Sequence, residues 1–392
     1  MQKVDIIILA GGLGSRIKKY NKVFPKPFIK INNKPFIQYI INHVSKYKVA
    51  NIFILAGHRG KFLKYKYDNT FHNLIKINCI IEKKRKDTGG ALFTLNDKIK
   101  NNFIVINGDT FFDIDYNMLI KKKFNKNTDC FIVLKKKFNK KIKLNNLNIS
   151  KKKVFFSKKT NYINCGIYFF KRNFIKKIKN KKLSLENFYI RNLINQGKVK
   201  GFVSKNYLID IGTPKDLLLA KRTFKKKFER PAAFFDRDNV LINDNGYIFK
   251  KRDLKFKYGV ISGLKKLIKK NYYIFIVTNQ AGIAKKKFSL GQFVNFQKFL
   301  KEELLKKNIF INEVKFCPHH QLGLLKKYAL KCDCRKPRNQ MFKDIIEKWD
   351  VDLKKSFMIG DKKTDEIFAY RSNLKFQYSN KNLNSQIEQI LK

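Results

Sequence analysis

The hydrophobic positions of this chain fall into short apolar runs, separated by longer polar and charged stretches. The runs Val4–Ala10 and 103–107 are rich in β-branched residues and predict buried strands, whereas Phe36–Val44 predicts an apolar helix. Further strand-forming runs cover Ala232–Phe235, 273–277 and 356–360. Open α/β sheets bind their ligands at the carboxyl ends of parallel strands. The pattern therefore predicts an α/β fold whose chemistry lies just after these runs.

Length and composition indicate two domains. The chain has 392 residues, of which 44% are hydrophobic, and this is enough for two full cores. A polar, charged run at 222–231 (RTFKKKFERP) separates the last helix of the first half from the first strand of the second. We therefore expect one domain over residues 1–228 and another over 229–392, joined by a short linker.

The charge balance is strongly basic, with a formal net charge of +59 and a pI near 10.1. A basic surface binds polyanions, so a nucleic acid or an anionic membrane is the first partner to consider. The lysines are, however, spread along the whole chain beside frequent Asn, Ile, Phe and Tyr, which is typical of drift toward A/T-rich codons. This distribution favours small anionic substrates over a nucleic-acid or membrane partner, and it leaves the oligomeric state open.

Cysteine usage and hydropathy indicate the cellular compartment in which the protein works. Cys79, Cys130 and Cys165 are scattered on strand-like apolar runs, which predicts buried free thiols rather than a disulfide framework. No apolar run approaches the length needed to span a bilayer. We expect a cytoplasmic protein.

A glycine loop, GGLGSR, follows the first predicted strand directly. Gly11, Gly12 and Gly14 allow backbone N–H groups to approach phosphate oxygens, and Arg16 adds a fixed cation. The loop is not a Rossmann fingerprint, because Ile17 stands where the third glycine belongs, and it is not a Walker A loop either. These residues indicate a phosphate-binding loop of another kind.

Residues 1–222 resemble the sugar-1-phosphate nucleotidyltransferases in a series of motifs: LAGGLGSR, PKP, NKPF, DTGGAL, FIVINGD, NCGIYFF and IDIGTP. The resemblance implies a Rossmann-like, GT-A-like sheet. It also implies a lysine aimed at the phosphates, a second glycine turn near the nucleotide, and two carboxylates that hold Mg²⁺. These residues are Lys26 for the lysine, Gly89 and Gly90 for the turn, and Asp109 and Asp210 for the carboxylates.

The residue types suit this reaction. A sugar 1-phosphate oxygen attacks the α-phosphorus of a nucleoside triphosphate and pyrophosphate leaves, so the protein mainly supplies positive charge through Arg16, Lys26 and the magnesium. One departure is the lysine-rich stretch between Leu134 and Asn164, where the family usually carries a Glu-Lys-Pro element near the sugar. The sequence leaves open which residue replaces that contact, and Lys158 or Lys159 is a candidate.

In the second half, polar side chains follow three predicted strands. Asp236 and Asp238 come directly after the first, Thr278 ends the second, and Asp361 follows the third. Their order resembles the haloacid dehalogenase (HAD) phosphatases, which implies a doubly wound parallel sheet. The resemblance implies that Asp236 is the phosphoryl acceptor and Asp238 the acid/base, with Thr278 binding the phosphoryl group. It further implies that Mg²⁺ is held by Asp236, the Asp238 backbone carbonyl and Asp361.

Three of the six cysteines lie in one short window with two histidines, CPHH and CDC. Cys-x-His and Cys-x-Cys pairs fit tetrahedral Zn²⁺, and four protein ligands leave no open position, so the site is expected to be structural. A disulfide is the alternative. The expected ligands are Cys317, His319, Cys332 and Cys334. Such a loop positions the adjacent Lys336 for the phosphate and Arg335 for the substrate, with Asn279 as a further substrate contact.

The motifs VTNQAGIA, CPHH, CDCRKP and MIGDK resemble the heptose 1,7-bisphosphate 7-phosphatases over about residues 232–378, with the histidinol-phosphatases as the nearest rival. The first half resembles guanylyltransferases that act on heptose 1-phosphate, which such a phosphatase releases. This pairing predicts a bifunctional enzyme making GDP-heptose for surface polysaccharide. The alternatives are a mannose-1-phosphate or other hexose-1-phosphate nucleotidyltransferase fused to a histidinol-phosphatase-like domain, and a basic nucleic-acid-binding protein on degenerate enzyme domains.

Overall fold

The computed structural model of the protein describes residues 3–12, 24–57, 59–82, 86–136, 147–158 and 161–392. The chain divides into two compact units, Met1–Thr223 and Phe224–Lys392. Gly14, Arg16 and Lys159 lie outside the described residues. Within them, no helix combines the length and apolar character that crossing a bilayer requires.

The first unit consists of strands with short helices between them. Its strands are β1 (Val4–Ala10), β2 (Lys30–Ile31), β3 (Lys34–Pro35), β4 (Val49–Ala56), β5 (Thr70–His72), β6 (Ile75–Ile81), β7 (Phe103–Asn107), β8 (Thr110–Phe112), β9 (Cys130–Lys136), β10 (Leu147–Ser150), β11 (Lys153–Phe156), β12 (Tyr162–Phe170), β13 (Val199–Val203) and β14 (Leu208–Asp210). Its helices are α1 (Phe36–Val44), α2 (Lys61–Tyr67), α3 (Asp87–Leu92), α4 (Tyr116–Ile120) and α5 (Arg191–Asn195), and α6 (Pro214–Phe228) starts in it. Single turns of tighter or wider helix cover Lys26–Phe28, Phe93–Leu95, Arg172–Lys177 and Leu185–Ile190.

The large sheet of the first unit has the order β10-β11-β13-β9-β12-β7-β1-β4-β6-β5 among the described residues. Strands β7, β1, β4 and β6 run parallel, whereas β12 is antiparallel to both β7 and β9. The central strands β1 and β7 are buried on both faces, which explains why their sequences are nearly continuous apolar runs. A separate ribbon pairs β8 with β14 and sets Thr110 opposite Asp210.

The second unit alternates strands and helices. Its strands are β15 (Ala232–Phe235), β16 (Tyr273–Asn279), β17 (Glu313–Cys317), β18 (Phe357–Gly360) and β19 (Lys375–Tyr378). Its helices are α7 (Val260–Lys269), α8 (Ala281–Ala284), α9 (Leu290–Lys306), α10 (Gln340–Ile346), α11 (Lys363–Arg371) and α12 (Leu383–Ile390), with single tighter turns at Lys251–Asp253, Lys326–Tyr328 and Leu353–Lys355.

The sheet of the second unit is entirely parallel, in the order β17-β16-β15-β18-β19. Strand β15 is central, and the chain passes to one side of it through β16 and β17 before crossing to β18 and β19. Such a reversal opens a crevice at the carboxyl ends of β15 and β18, where doubly wound sheets bind their ligands. The expected α/β class is confirmed for both units.

The linker prediction needs a correction. Helix α6 continues through most of the charged run at 222–231 and ends only at Phe228. Leu217, Ala220 and Phe224 are buried and three or four residues apart, so they form one apolar face that continues the helix past the lysines. The start of this helix is as expected, because the Thr213 hydroxyl accepts a hydrogen bond from the Asp216 amide and Pro214 is the first helical residue.

Candidate active sites

In the first unit, a lysine and two carboxylates meet at the edge of the parallel strands. Lys26 Nζ contacts Asp109 Oδ2 and lies 3.7 Å from Asp210 Oδ1. Asp109 follows β7, and Asp210 ends β14, whose pairing with β8 brings the two aspartates together. Partial burial, followed by repulsion from Asp109, raises the pKa of Asp210, and Lys26 opposes this rise. Three residues that are far apart in the sequence therefore form one charged cluster.

A hydroxyl group joins the two carboxylates. Thr110 Oγ1 lies 3.0 Å from Asp210 Oδ2 and 3.3 Å from Asp109 Oδ1, and the side chain is buried. Nearby, Pro27 packs closely on Gly108, where a Cβ atom would lie 3.1 Å from the proline ring and 2.7 Å from the Leu9 carbonyl. The glycine thus lets the turn that carries Lys26 approach the strand end that carries Asp109.

Gly89 and Gly90 occupy a tightly packed turn. Their amides donate to the Leu183 carbonyl oxygen at 2.9 and 3.1 Å. A Cβ atom on Gly90 would lie 2.1 Å from the Lys181 carbonyl oxygen, so a larger residue does not fit there. The structure therefore gives these glycines a packing reason, and their contact with a nucleotide stays a prediction.

The strand motif NCGIYFF and the DTGGAL turn are linked by a carboxylate that the sequence reasoning missed. Glu186 accepts hydrogen bonds from Thr88 Oγ1 at 3.0 Å and from the Tyr168 hydroxyl at 3.3 Å. Asn164 Nδ2 donates to the same tyrosine oxygen at 2.7 Å. A glutamate in a polar stretch far from either motif gave no signal by itself. Lys158 lies among the described residues, and within that part of the chain it is not a member of this hydrogen-bond network.

In the second unit, Lys336 is buried between two aspartates at the crevice. Its Nζ donates to Asp236 Oδ1 at 2.7 Å and to the Val277 carbonyl oxygen at 2.8 Å, and it lies 2.6 Å from Asp365 Oδ1. Burial raises the pKa of Asp236 to about 6, although Lys336 acts in the opposite direction. Burial lowers the pKa of Lys336, but the two carboxylates outweigh it and raise that pKa. The lysine therefore stays charged beside the expected nucleophile.

Three carboxylates here can hold a cation: the oxygens of Asp236, Asp361 and Asp365 lie within 4.8 Å of one another. Asp361 Oδ1 is buried without a hydrogen-bond partner among the described residues. Asp365 is already engaged, because its Oδ2 accepts from the amides of Asp361 and Lys362. An all-oxygen donor set with a buried, unpaired oxygen fits Mg²⁺. Asp365 is best understood as the residue that orients this loop.

Asp238 faces a different set of partners. Arg237 Nε donates a hydrogen bond to its Oδ1 at 2.7 Å, and Arg237 Nη2 forms an ion pair with the same oxygen at 2.7 Å. Gln280 Nε2 donates to its Oδ2 at 2.8 Å, and also to Thr278 Oγ1 at 2.9 Å. The turn after Asp238 is possible because Asn239 adopts the left-handed conformation, with φ +57°, that asparagine tolerates. Sequence reasoning did not assign Arg237 or Gln280.

Asn279 anchors the chain around Lys336. Its Nδ2 donates to the Lys336 carbonyl oxygen and its Oδ1 accepts from the Lys336 amide, both at 3.0 Å. The side chain, which was expected to contact substrate, is thus bonded to the protein backbone on two sides. Arg335 Nη1 donates to the His319 carbonyl oxygen at 3.2 Å, which ties the other flank of Lys336 to the cysteine loop.

The cysteine loop starts at the end of β17 and gathers four metal-binding atoms. The Cys317 Sγ atom lies 3.5 Å from Cys332 Sγ and 3.7 Å from His319 Nδ1. Cys334 Sγ lies 3.3 Å from both Cys332 Sγ and His319 Nδ1. His320 is directed elsewhere, since its Nδ1 accepts from the Leu322 amide.

These distances allow a test of the metal and disulfide alternatives. A disulfide requires about 2.05 Å between sulfurs, and all six cysteines are free thiols in the structure. A tetrahedron of ligands at Zn–S and Zn–N bond lengths has edges of about 3.5 to 3.8 Å, close to the separations found. The four residues therefore fit a closed tetrahedral metal site. Cys79, Cys130 and Cys165 are buried free thiols, as expected.

Comparison with known proteins connects both units to enzymes. Residues 5–143 match the family described as Nucleotidyl transferase, and residues 231–387 match the family described as Polynucleotide kinase 3 phosphatase. A D-glycero-alpha-D-manno-heptose 1-phosphate guanylyltransferase of Campylobacter jejuni is 34% identical over 220 residues, which is 54% of this chain and 96% of that protein. A D-glycero-beta-D-manno-heptose-1,7-bisphosphate 7-phosphatase of Rhodopseudomonas palustris is 34% identical over 163 residues, which is 41% of this chain and 91% of that protein.

Among solved structures, HddC from Yersinia pseudotuberculosis covers 57% of this chain and 100% of its own, at 30% identity and a TM-score of 0.49. Two α/β units, each with a lysine and aspartates gathered in one charged cluster, define an enzyme that transfers phosphorus-containing groups. The chain belongs to the nucleotidyltransferase family through its first unit and to the HAD-type heptose-bisphosphate phosphatase family through its second.

Proposed function

We propose that the chain is a cytoplasmic, bifunctional enzyme of GDP-D-glycero-α-D-manno-heptose synthesis for surface polysaccharide, with one catalytic domain over residues 1–228 and another over 229–392. The second domain removes the 7-phosphate of D-glycero-α-D-manno-heptose 1,7-bisphosphate. The first then transfers GMP from GTP to the heptose 1-phosphate and releases pyrophosphate. One observation carries this proposal: a single chain spans nearly the full length of two relatives, of which one is named for releasing a heptose 1-phosphate and the other for using one.

The phosphatase reaction follows from the buried cluster. An Asp236 carboxylate oxygen attacks the 7-phosphorus, and the bond to the sugar oxygen breaks as Asp238 gives that oxygen a proton. Water then attacks the aspartyl phosphate, gives its proton to Asp238 and releases inorganic phosphate. Lys336 and Thr278 bind the phosphoryl oxygens, and Arg335 binds the rest of the substrate.

The nucleotidyl transfer uses the first cluster. Lys26 and Arg16 neutralise the triphosphate, and Gly11, Gly12 and Gly14 supply backbone amides to it. Because pyrophosphate leaves with high negative charge, positive groups placed beside it lower the barrier. The sugar phosphate enters from the side of Asn164 and Glu186.

The residues of both clusters would bind metal ions. Asp109 and Asp210 would hold Mg²⁺ in the first domain, and Asp236, Asp361 and the Asp238 backbone carbonyl would hold it in the second. When bound, this ion neutralises phosphate charge in both reactions. Zn²⁺ in the four-residue cluster is structural, and keeps Arg335 and Lys336 in place without entering the chemistry.

The test supplies the purified chain with GTP, Mg²⁺ and either anomer of the heptose 1,7-bisphosphate. The anomer matters because the similar phosphatase is named for the β form and the similar guanylyltransferase for the α form. We expect the α bisphosphate to yield inorganic phosphate, pyrophosphate and GDP-heptose. These products are measured by ion-exchange chromatography and mass spectrometry. Release of the anomeric phosphate first, or use of mannose 1-phosphate while heptose 1-phosphate is ignored, contradicts the proposal.

A screen of the four nucleoside triphosphates against heptose 1-phosphate, mannose 1-phosphate and glucose 1-phosphate fixes the base and the sugar. GTP with the heptose should give the highest kcat/KM. A clear preference for another base with a hexose contradicts the pathway assignment, but it does not affect the description of the two folds.

A further inference from the structure

Two side chains that have no role in the mechanism above, Arg237 and Gln280, hold the carboxylate of Asp238. Arg237 faces one oxygen, since its Nε donates a hydrogen bond to Oδ1 at 2.7 Å and its Nη2 forms an ion pair with the same oxygen at 2.7 Å. Gln280 donates a single hydrogen bond to the other oxygen, Oδ2, at 2.8 Å. Arg237 Nη2 also donates to Gln280 Oε1 at 3.2 Å, so the three side chains form a closed ring.

Arg237 is a buried cation that packs against helix α9. Its side chain is 1% exposed, and its guanidinium carbon lies 5.5 Å from the Phe293 ring centre and 5.4 Å from that of Phe296. Both rings belong to helix α9. Stacking on aromatic faces stabilises a guanidinium group and restricts its orientation. The arginine is therefore a fixed support for Asp238 rather than a residue that binds phosphate.

The ring also distinguishes the two oxygens of Asp238. A carboxylate oxygen has two lone-pair sites. The Arg237 guanidinium lies against Oδ1 through a hydrogen bond and an ion pair, whereas among the described residues Gln280 is the one donor to Oδ2, which keeps a lone-pair site open. The side chain of Asp238 is 13% exposed, so this site can face a substrate oxygen or a water molecule. Oδ2 is thus the oxygen available to carry a proton.

We infer that Arg237 and Gln280 are positioning residues for proton transfer by Asp238, and that they direct its Oδ2 toward the leaving oxygen of the phosphate ester. The inference rests on the proposed role of Asp238. In the first step, the proton on Oδ2 passes to the departing sugar oxygen while the phosphoryl group moves to Asp236. In the second step, Oδ2 takes a proton from the attacking water.

The experiment compares leaving groups. An alkyl oxygen needs a proton as it leaves, whereas p-nitrophenolate leaves without one, so only alkyl phosphates depend on a well-placed acid. We measure kcat/KM, which covers the steps through P–O cleavage, for the heptose bisphosphate, ethyl phosphate and p-nitrophenyl phosphate. Ethyl phosphate makes the outcome independent of the sugar assignment.

Gln280→Met and Arg237→Met should lower kcat/KM for the alkyl substrates by about 10- to 100-fold, a part of the 10²- to 10⁴-fold that general acid catalysis supplies. For p-nitrophenyl phosphate the loss should stay below about threefold. Asp238→Asn should show the same pattern with a larger alkyl loss. Gln280 also contacts Thr278, but an effect through phosphate binding would lower kcat/KM for all three substrates equally.

Gln297→Met is the matched control, because Gln297 is a fully buried glutamine of helix α9 whose amide has no hydrogen-bond partner among the described residues. This variant should not change kcat/KM for the alkyl substrates relative to kcat/KM for p-nitrophenyl phosphate. Folding is checked through the fluorescence of Trp349, the single tryptophan, which is buried in the second unit.

The possible outcomes distinguish failure of this inference from failure of the role assigned to Asp238. If Asp238→Asn distinguishes alkyl from aryl substrates but both positioning variants reduce them equally, the inference about Arg237 and Gln280 is overturned and the proposed function stands. If Asp238→Asn itself makes no distinction, the assigned role of Asp238 fails and the inference fails with it.

Discussion

At the scale of single residues, the side chains that position a reacting group matter as much for the site as the reacting group itself. Thr110 is the clearest case in the first unit, because one buried hydroxyl lies within hydrogen-bond distance of both Asp109 and Asp210. Two carboxylates at close range repel each other unless a cation or donor lies between them. We propose that the threonine and Lys26 together keep the pair ready for a divalent ion.

Replacing Thr110 should therefore weaken metal binding before it harms the fold. We expect Thr110→Val to raise the dissociation constant for Mn²⁺, read by electron paramagnetic resonance, by about 5- to 10-fold, corresponding to about one lost hydrogen bond. Thr110→Ser keeps the hydroxyl and should bind Mn²⁺ as the wild type does. Because the second unit also offers a cation site, the titration is made on the Asp361→Ala background. Equal behaviour of the valine and serine variants would show that the hydroxyl does not organise this site.

Lys336 gives a residue-scale prediction for the second unit. Removing it by Lys336→Met leaves the carboxylates of Asp236 and Asp365 buried without their shared cation. Breaking a buried ion pair in this way costs about 3 to 5 kcal/mol. In urea titrations without divalent ions, followed by Trp349 fluorescence, the free energy of unfolding should fall by that amount. Added Mg²⁺ should restore part of it by supplying positive charge.

The matched control is Lys306→Met, which removes a lysine that is 64% exposed and paired with Glu303 on the surface of α9. Exposed ion pairs contribute about 0 to 1 kcal/mol, so this variant should unfold almost as the wild type does. A Lys336→Met protein as stable as the control would mean that the buried aspartates do not need the lysine. Phosphatase activity should be lost in Lys336→Met alone.

At the scale of elements, the sequence was most informative where local pattern and tertiary environment agree. Val4–Ala10 and Phe36–Val44 appear with the predicted bounds, because each is a mostly apolar run that is buried along nearly its whole length. Placing aspartates directly after strands also predicted that Asp236 and Asp361 meet, since the carboxyl ends of parallel strands share one edge. Asp109 instead meets Asp210 through the antiparallel pairing of β8 and β14.

The rest depended on contacts that no local pattern records. Glu186 reaches Thr88 and Tyr168 only after distant segments pack together. Arg237 looks like an ordinary charged residue until α9 covers it with Phe293 and Phe296. Helix α6 was expected to stop near residue 222, because its lysines concealed the apolar face that continues to Phe224.

The cysteine loop is the element whose removal is most informative. It connects β17 to α10 and carries Lys336 two residues after Cys334, so a bound metal limits where that lysine can lie. We expect about one zinc per chain in protein purified without chelator, measured by plasma mass spectrometry. Cys332→Ser should lose the zinc and most phosphatase activity, because Arg335 and Lys336 are no longer held, while nucleotidyl transfer continues.

Cys79→Ser provides the comparison, since Cys79 is a buried free thiol of the first unit, remote in sequence from the cluster. Its zinc content and phosphatase activity should equal those of the wild type. Zinc-free wild-type protein in which Cys332 and Cys334 are oxidised would instead support a disulfide.

At the scale of the whole molecule, each unit contains its own sheet and its own charged cluster. Lys26, Asp109 and Asp210 belong to the first unit, whereas Asp236 and Lys336 belong to the second. Each of these contacts is made within one unit. The two activities should therefore be separable by single substitutions that leave the other site intact.

Two reciprocal variants test this separation. Asp236→Asn removes the nucleophile but keeps the side-chain shape, so phosphate release from the heptose bisphosphate should fall by at least about 10³-fold, while pyrophosphate release from GTP and heptose 1-phosphate should stay within about twofold of the wild type. Asp109→Ala should give the opposite result. The Asp236→Asn chain should then make GDP-heptose only from the 1-phosphate, and adding the Asp109→Ala chain should restore synthesis from the bisphosphate. If either substitution abolishes both activities in a chain that remains folded by circular dichroism, the units are coupled, and the description of two independent catalysts on one polypeptide is wrong.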